Sequence, residues 1–303
     1  MDSRHLLLLR ELAERGSVGA VAAATHRTAS AVSQQLRTAQ RDLGVTLVEP
    51  DGRGVRLTPA GRVLAESAID VEAALARARA RLDALLGEPT GEVGVVALPS
   101  AAAFLGAPLL ASLGGGPVRV RLEDRDVAER GFADLVRDAD IVIGHSLRGR
   151  VPEGAEGLTC VALCREPIDI ALPAGHRLCA APRVLPRDVV GEPWIGVPPG
   201  FPFDEIRRSI EQVTGAATEV RQRVRDNRIV ESLVAAGLGI ALLPRFTTRC
   251  EGLELRALAG VGATRWVVAM SRPDRAERGA VRAVLAELER IAAEVAGQMG
   301  APR

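Results

Sequence analysis

Between Thr28 and Leu43 the chain sets Thr28, Ser30, Ser33, Gln34, Gln35, Arg37 and Arg41 along one ridge. Short hydroxyl and amide side chains reach base edges in a DNA major groove, and guanidiniums pair with phosphates. Reactive groups are grouped nowhere else in this way. There is no GxSxG elbow, no P-loop, no HExxH and no glycine-rich dinucleotide fingerprint. Ser100 has no base partner identifiable from spacing, so an enzyme is not expected. His5, His26, His145 and His176 lie far apart without metal-ligand spacing, and neither a metal nor a cofactor is called for. Cys160, Cys164, Cys179 and Cys250 contain no CxxC pair. Cys160 and Cys164 would share a strand face about 13 Å apart, too far for an undistorted disulfide.

The ridge needs a helix to carry it. Val32, Leu36, Ala39 and Leu43 recur at i, i+4, i+7 and i+11, the stripe of an amphipathic helix. Thr28 can N-cap it, and Ser17 can N-cap a short Ala-rich helix ending near Thr25. Two capped helices so closely joined make a helix-turn-helix. An ordinary helix pair with a solvated polar face is the alternative. Gly44 stops the second helix. Val45 to Val48 and Val55 to Leu57 then read as strands around the tip Asp51-Gly52-Arg53-Gly54, a wing whose Arg53 suits a phosphate or a narrow minor groove.

With Gly16-Ser17, Ala31 to Leu36, Leu43-Gly44-Val45 and Gly52 to Gly61 in view, the chain resembles the LysR-type transcriptional regulators over essentially its whole length. Ala29, Ser30 and Gln34 stand where that family often has Gln, Pro and Arg, and Val48 and Pro50 replace a usual Phe and Arg. The resemblance implies a DNA face of Thr28, Ala29, Ser30, Ser33, Gln34, Arg37, Arg41, Arg53 and Arg56. Within it, Ala29, Ser30, Ser33 and Gln34 would meet bases, and the arginines mainly phosphates and the minor groove.

Thr58-Pro59 starts a further helix, with Pro at its first position. It runs to about Gly87, roughly 40 Å at 1.5 Å per residue. Leu64, Ala68, Val71, Leu75, Ala78, Leu82 and Leu85 alternate spacings of four and three, the seam of a coiled coil. Dimerisation is the expected use, and packing on the chain's own C-terminal part is the alternative. Beyond Gly87 to Gly91 the period changes. Short apolar strands (Val93 to Leu98, Val118 to Leu122, Ile141 to Ile143) alternate with helical stretches at Ala101 to Leu113 and Val127 to Arg137, which argues a parallel sheet. A second set spans Leu158 to Leu243. The chain returns through Trp266 to Met270 and ends in a long helix from Ala276 to about Gln298. Crossings near Cys164 to Ile168 and Arg265 to Val268 would join two lobes, a layout that resembles the type 2 periplasmic-binding-protein fold of LysR-type effector domains.

The expected fold class is therefore α/β with an α-rich N-terminal domain. Residues 1–58 form a winged helix-turn-helix, 59–87 the linker helix and 91–300 the effector domain. Its lobe one takes about 91–164 and 267–300, and lobe two about 165–266. Ligands in open α/β sheets bind beyond the carboxyl ends of strands, near helix N-termini. That places Ser100, Ala101, His145, Ser146, Phe201, Phe203 and Asn227 at the effector, Ser100 also by resemblance. Arg125, Arg148 and Arg225 nearby favour a small anion.

The chain's 303 residues, 47% of them hydrophobic, suffice for two globular domains or more. Net charge is +1 overall. Residues 1–65 hold 9 Arg against 6 acids, and the remainder 30 Arg against 32, so the positive excess lies where DNA is expected. Lys and Tyr are absent, a codon bias without functional content. No apolar run reaches the roughly 18 residues of a membrane span, and Leu6 to Leu9 is too short for a signal-peptide core, so a cytoplasmic protein with no membrane partner is expected. The expected partners are double-stranded DNA, a small-molecule effector, a second copy in a homodimer with homotetramers implied by the resemblance, and RNA polymerase for an activator. A redox-responsive regulator using the cysteines and a ligand-independent architectural DNA-binding protein are the alternatives.

Overall fold

The computed structural model describes residues 2–52, 54–87 and 89–299. They fall into two compact units, residues 2–52 and 54–87 with 273–279, and residues 89–272 with 280–299.

In the first unit, α1 (Ser3–Arg15) is N-capped by Asp2 and closed by Gly16 at φ 70°. Ser17 caps α2 (Val18–Ala24) by accepting from the Ala20 amide. Thr28 caps α3 (Ala29–Leu43) by accepting from the Ala31 amide, and Gly44 ends it in the left-handed region. Strands β1 (Val48–Asp51) and β2 (Gly54–Leu57) form the antiparallel wing. Thr58 then caps α4 (Pro59–Leu86). The apolar faces meet in one core of Leu8, Leu9, Leu12, Val21, Val32, Leu36, Ala39, Leu47, Leu57 and Ala65.

Strand β1 begins three residues later than the apolar run from Val45 predicts. The cause is Leu47, which is fully buried. Its amide donates to Gln40 Oε1 at 2.8 Å and its carbonyl accepts from Thr58 at 3.0 Å, so it anchors the wing's base instead of joining the ladder. Two glycines let backbones meet here. A Cβ on Gly54 would stand 2.6 Å from the Gly16 carbonyl oxygen, and one on Gly61 2.2 Å from that of Leu47.

The linker seam is divided by its surroundings. Ala68 is fully buried and Leu64 packs on the N-terminal core, whereas Leu75, Leu82 and Leu85 are 57%, 53% and 84% exposed. Leu64, packed on that core, and Ala68, fully buried, are therefore not free for a partner helix.

The second unit opens with β3 (Gly91–Ala97), α5 (Pro99–Ala101), a π turn over Ala102–Gly106 and α6 (Ala107–Leu113). There follow β4 (Val118–Asp124), α7 (Glu129–Leu135), β5 (Ile141–Ser146) and the long β6 (Thr159–Pro173). The second lobe adds β7 (Arg183–Val184), α8 (Pro186–Val189), β8 (Pro193–Gly196), α9 (Pro202–Thr214), β9 (Glu219–Arg223), α10 (Asn227–Ala235), β10 (Ala241–Pro244) and β11 (Leu253–Leu258). The chain returns by β12 (Thr264–Ser271), α11 (Pro273–Ala276) and α12 (Gly279–Gln298). The terminal helix expected from Ala276 to about Gln298 thus starts at Gly279, behind the separate short helix α11. Residues 273–279 count with the N-terminal unit, where Asp274 accepts from Arg10 at 3.2 Å and Glu277 from Arg77 at 3.3 Å.

Strands run in the order β4-β3-β5-β12-β6-β11-β7, with β10 also on β6. The sheet is mixed, not wholly parallel. Strands β4, β3 and β5 are parallel, and β12 lies antiparallel between β5 and β6. Strand β6 pairs β12 as far as Pro167, then β10 from Ile168 and β11 from Ile170, so one extended strand serves both lobes. Each lobe has its own core, one around Val95, Phe132, Ile143 and Leu288 and one around Ile170, Trp194, Ile206 and Leu242.

Gly61→Ala should displace the Leu47 carbonyl and cost about 1–3 kcal/mol, the usual penalty of overpacking. Thermal melting should show this loss in the N-terminal transition, and an unchanged transition would mean that α4 can move aside freely.

Candidate functional site

The exposed side of α3 is the first candidate surface. Thr28, Ala29, Ser30, Gln34, Arg37 and Arg41 are exposed and Ser33 is half-buried. Several are held ready by local bonds. Thr28 and Ser30 share a hydrogen bond of 3.0 Å, and Arg37 Nη2 donates to Gln34 Oε1 at 3.0 Å. Gln35, part of the ridge in sequence, is committed elsewhere: its amide donates to the Arg4 carbonyl and accepts from Arg27, both at 2.7 Å, tying α3 to α1. On the wing, Arg56 is exposed and pairs with Glu49 at 2.7 Å. Arg53 lies outside the described residues.

The second unit holds a cleft of about 700 Å³ at the carboxyl ends of β3, β4 and β5. Ser100, His145, Phe201, Phe203 and Asn227 all line it. Ala101 and Ser146 do not. Ala101 belongs to the lobe-one core, and Ser146, fully buried one residue after His145, accepts from the Arg148 amide at 3.2 Å. Adjacent strand residues point to opposite faces, so only one of His145 and Ser146 can face the cleft.

An ion pair forms the polar floor. Arg265 on β12 reaches Glu166 Oε2 on β6 through Nε at 2.9 Å and Nη2 at 2.6 Å, with the two side chains 3% and 0% exposed. Nη2 also donates to Ser100 Oγ at 2.7 Å, and Glu166 Oε1 accepts from the Phe246 amide at 2.9 Å. The guanidinium lies 5.7 Å from the Phe203 ring centre. Beside it His145 is 4% exposed and stands edge-on to Phe132 at 5.2 Å between ring centres. Neither of its ring nitrogens has a hydrogen-bond partner. Burial, with the Arg265 charge adding to it, drives its pKa down to about 3. The ring is therefore neutral at pH 7.

Spacing along the chain did not disclose the acids. Asp124, Asp126, Asp226 and Glu231 also line the cleft, with Arg225, Arg228, Thr247 and Arg265. Asp124 ends a parallel strand, a position the strand-end rule would have flagged. Of the arginines expected to favour an anion, Arg225 borders the cleft but faces Asp126 at 4.0 Å. Arg125 pairs with Glu123, and Arg148 lies 3.9 Å from Glu205; neither is among the lining residues. Burial and neighbouring Asp226 raise Asp126, against the lowering effect of Arg225.

Residues 3–62 match the family described as bacterial regulatory helix-turn-helix protein, lysR family, and residues 86–293 match LysR substrate binding domain. Transcriptional dual regulator GltC of Bacillus subtilis is 28% identical over 247 residues, covering 82% of this chain and 82% of GltC. Full-length OxyR from Pseudomonas aeruginosa superposes with a TM-score of 0.66 at 19% identity, covering 95% of this chain and 94% of OxyR. Full-length CbnR complexed with its target DNA gives 0.52 at 19% identity, covering 96% and 100%. The chain belongs to the LysR family: it is a DNA-binding transcriptional regulator with an effector-binding domain.

Two outcomes test these sites. Arg37→Ala should weaken binding to all DNA and lower the salt slope by about one unit, whereas Gln34→Ala should change the preferred sequence. Binding titrations over salt and operator variants measure both, and an unchanged preference for Gln34→Ala would remove that side chain from base reading. In the cleft, His145 titrates lower in the folded chain than near 6.5 when unfolded. The unfolded form therefore takes up the proton first, and stability present above pH 6.5 is lost as pH falls toward 3, by up to about 1.4 kcal/mol per unit. Unfolding at pH 7 and pH 5 should show this loss in the wild type and not in His145→Gln.

Proposed function

We propose that this regulator responds to a small molecule bound in the interlobe cleft of its second unit. The observation that carries the reading is His145: a buried imidazole with both nitrogens unpaired, among the residues that line a roomy cleft at strand carboxyl ends. A buried polar group left unpaired costs about 1–3 kcal/mol, and a ligand hydrogen bond recovers part of that. Effector binding then biases the closure of the lobes, with a coupling of about 1–3 kcal/mol passed to the DNA-bound assembly.

The assembly is a homodimer through the exposed part of the α4 seam, Val71 to Leu85, with α/β domains joining dimers into tetramers as the family resemblance implies. Two α3 helices then read the halves of a roughly palindromic operator. Residues 1–58, 59–87 and 91–300 serve as DNA-binding, dimerisation and effector domains. An activating role would add RNA polymerase as a partner. The protein works beside the genome, in the cytoplasm; among the described residues no helix is long and apolar enough to cross a membrane.

The cleft is a binding site and not a catalytic one. Ser100 Oγ receives a hydrogen bond from Arg265, and an imidazole held near pKa 3 is a poor general base at pH 7. The thiols give the redox alternative little support. Burial pushes Cys164 up to about 12 and raises Cys160 and Cys179, which disfavours the reactive thiolate. An architectural protein would have no use for the cleft.

Capture of genomic fragments by the purified protein, with sequencing of those retained at physiological salt, tests the reading. A few sites of dyad symmetry should be recovered, and Leu82→Asp should lose both their retention and the dimer seen by sedimentation. Fragments retained without sequence preference would favour the architectural protein instead.

A further inference from the structure

Resting on the effector-cleft reading, we propose that the deep end of the cleft takes an uncharged hydrogen-bonding group of the effector, a carboxamide or a hydroxyl, and disfavours a carboxylate.

Charge is already balanced there. Arg265 is the buried guanidinium of the floor, and Glu166 holds it through two bonds to one oxygen. A ligand carboxylate would place a second buried anion beside a single matched cation, which desolvation penalises. Arg265 Nη1 makes no hydrogen bond of its own among the described residues, but the charge it belongs to is already matched by Glu166, and the other groups free to bind are neutral. Ser100 Oγ accepts from Arg265 and so keeps its own hydroxyl proton to donate. The His145 ring, buried edge-on to Phe132 with both nitrogens closed off from solvent, carries one donor and one acceptor, and neither is engaged. An amide or hydroxyl matches both groups without adding charge.

The mouth does not reverse this preference. Each other guanidinium bordering the cleft faces a carboxylate, Arg225 with Asp126 at 4.0 Å and Arg228 with Asp226 at 3.8 Å. Asp124 and Glu231 add two further acids to the lining. The cleft as a whole is therefore more hospitable to a neutral or cationic molecule than to an anion. Its apolar walls, Leu98, Val197, Phe201, Phe203, Val224 and Ile229, suit a flat hydrocarbon or aromatic body.

Benzamide, benzoate and benzamidine share one shape and differ in charge, so they test the assignment directly. The full-length protein, with its four histidines labelled, would be titrated with each probe while the ring signals are followed by NMR. His145→Gln assigns the signal of interest, and Ser100→Ala provides a milder second variant. Benzamide should shift the His145 ring, bind at least about tenfold more tightly than benzoate, and lose several-fold in affinity with Ser100→Ala while benzoate is little changed. Benzamidine should bind no more weakly than benzoate. Benzoate binding as tightly as benzamide, or no shift of the His145 ring by benzamide, would overturn the proposal. Retention of genomic DNA is read separately. An inverted probe order removes the polarity of the deep end and leaves an effector cleft standing, whereas loss of sequence-specific DNA retention would count against the regulator reading whatever the probes do.

Discussion

A guanidinium buried where two lobes meet needs a counter-charge in fixed geometry, and Arg265 has it in Glu166. Removing one partner of such a pair costs about 3–5 kcal/mol, because the other is left charged and dry, although the intact pair adds little net stability over an apolar substitute. Its value lies in what it orients. The two residues stand on β12 and β6, the strands that run between the lobes, and they also bond Ser100 of lobe one and the Phe246 amide after β10. The Phe203 ring at the start of α9 lies over the same guanidinium. Elements far apart in sequence thus share one electrostatic anchor, and the cleft walls take their positions from it.

The N-terminal unit was legible because its signals are local. Ser17, Thr28 and Thr58 cap helices where their types and the following apolar stripes require, and Gly16 and Gly44 close helices in the left-handed region. The misreadings there come from partners distant in the chain. Nothing next to Val45 announces that Gln40 and Thr58 will occupy the Leu47 main chain, and nothing in the polar ridge separates Gln34, which stays exposed, from Gln35, which binds the Arg4 carbonyl. The α4 seam shows the same limit. A heptad pattern reports apolar positions but not which partner covers them, and α1 covers Leu64 while Leu82 stays exposed.

In the second unit, topology did what local pattern could not. The rule that ligands meet strand carboxyl ends singled out Ser100, His145, Phe201, Phe203 and Asn227 without any catalytic motif, and all five line the cleft. Period-two geometry could have separated His145 from Ser146 in advance, and the alternation in Leu253 to Leu258 could have revealed β11. The sign of the cleft's charge was beyond reach. Arg125, Arg148 and Arg225 stand out in the sequence, yet their effect depends on Glu123, Glu205 and Asp126, and only folding brings Arg225 to Asp126 and Arg148 near Glu205.

His145 and Arg265 reach the same floor from two hydrogen-bonded neighbours. Strand β12 pairs with β5 on one side, Val267 opposite His145, and with β6 on the other, Arg265 opposite Glu166. The register of the β12–β6 ladder shifts between Val267 and Val268, close to the same level of the sheet. Such an irregularity bends its strand and increases the local twist. A group that satisfies the imidazole would therefore act at the level where the floor's unpaired nitrogens, its ion pair and the shifted register coincide, whereas a group held only at the mouth would meet arginines already matched with opposite charges. The sheet's irregular register and its unmet hydrogen-bonding capacity thus lie together at one level of the cleft floor.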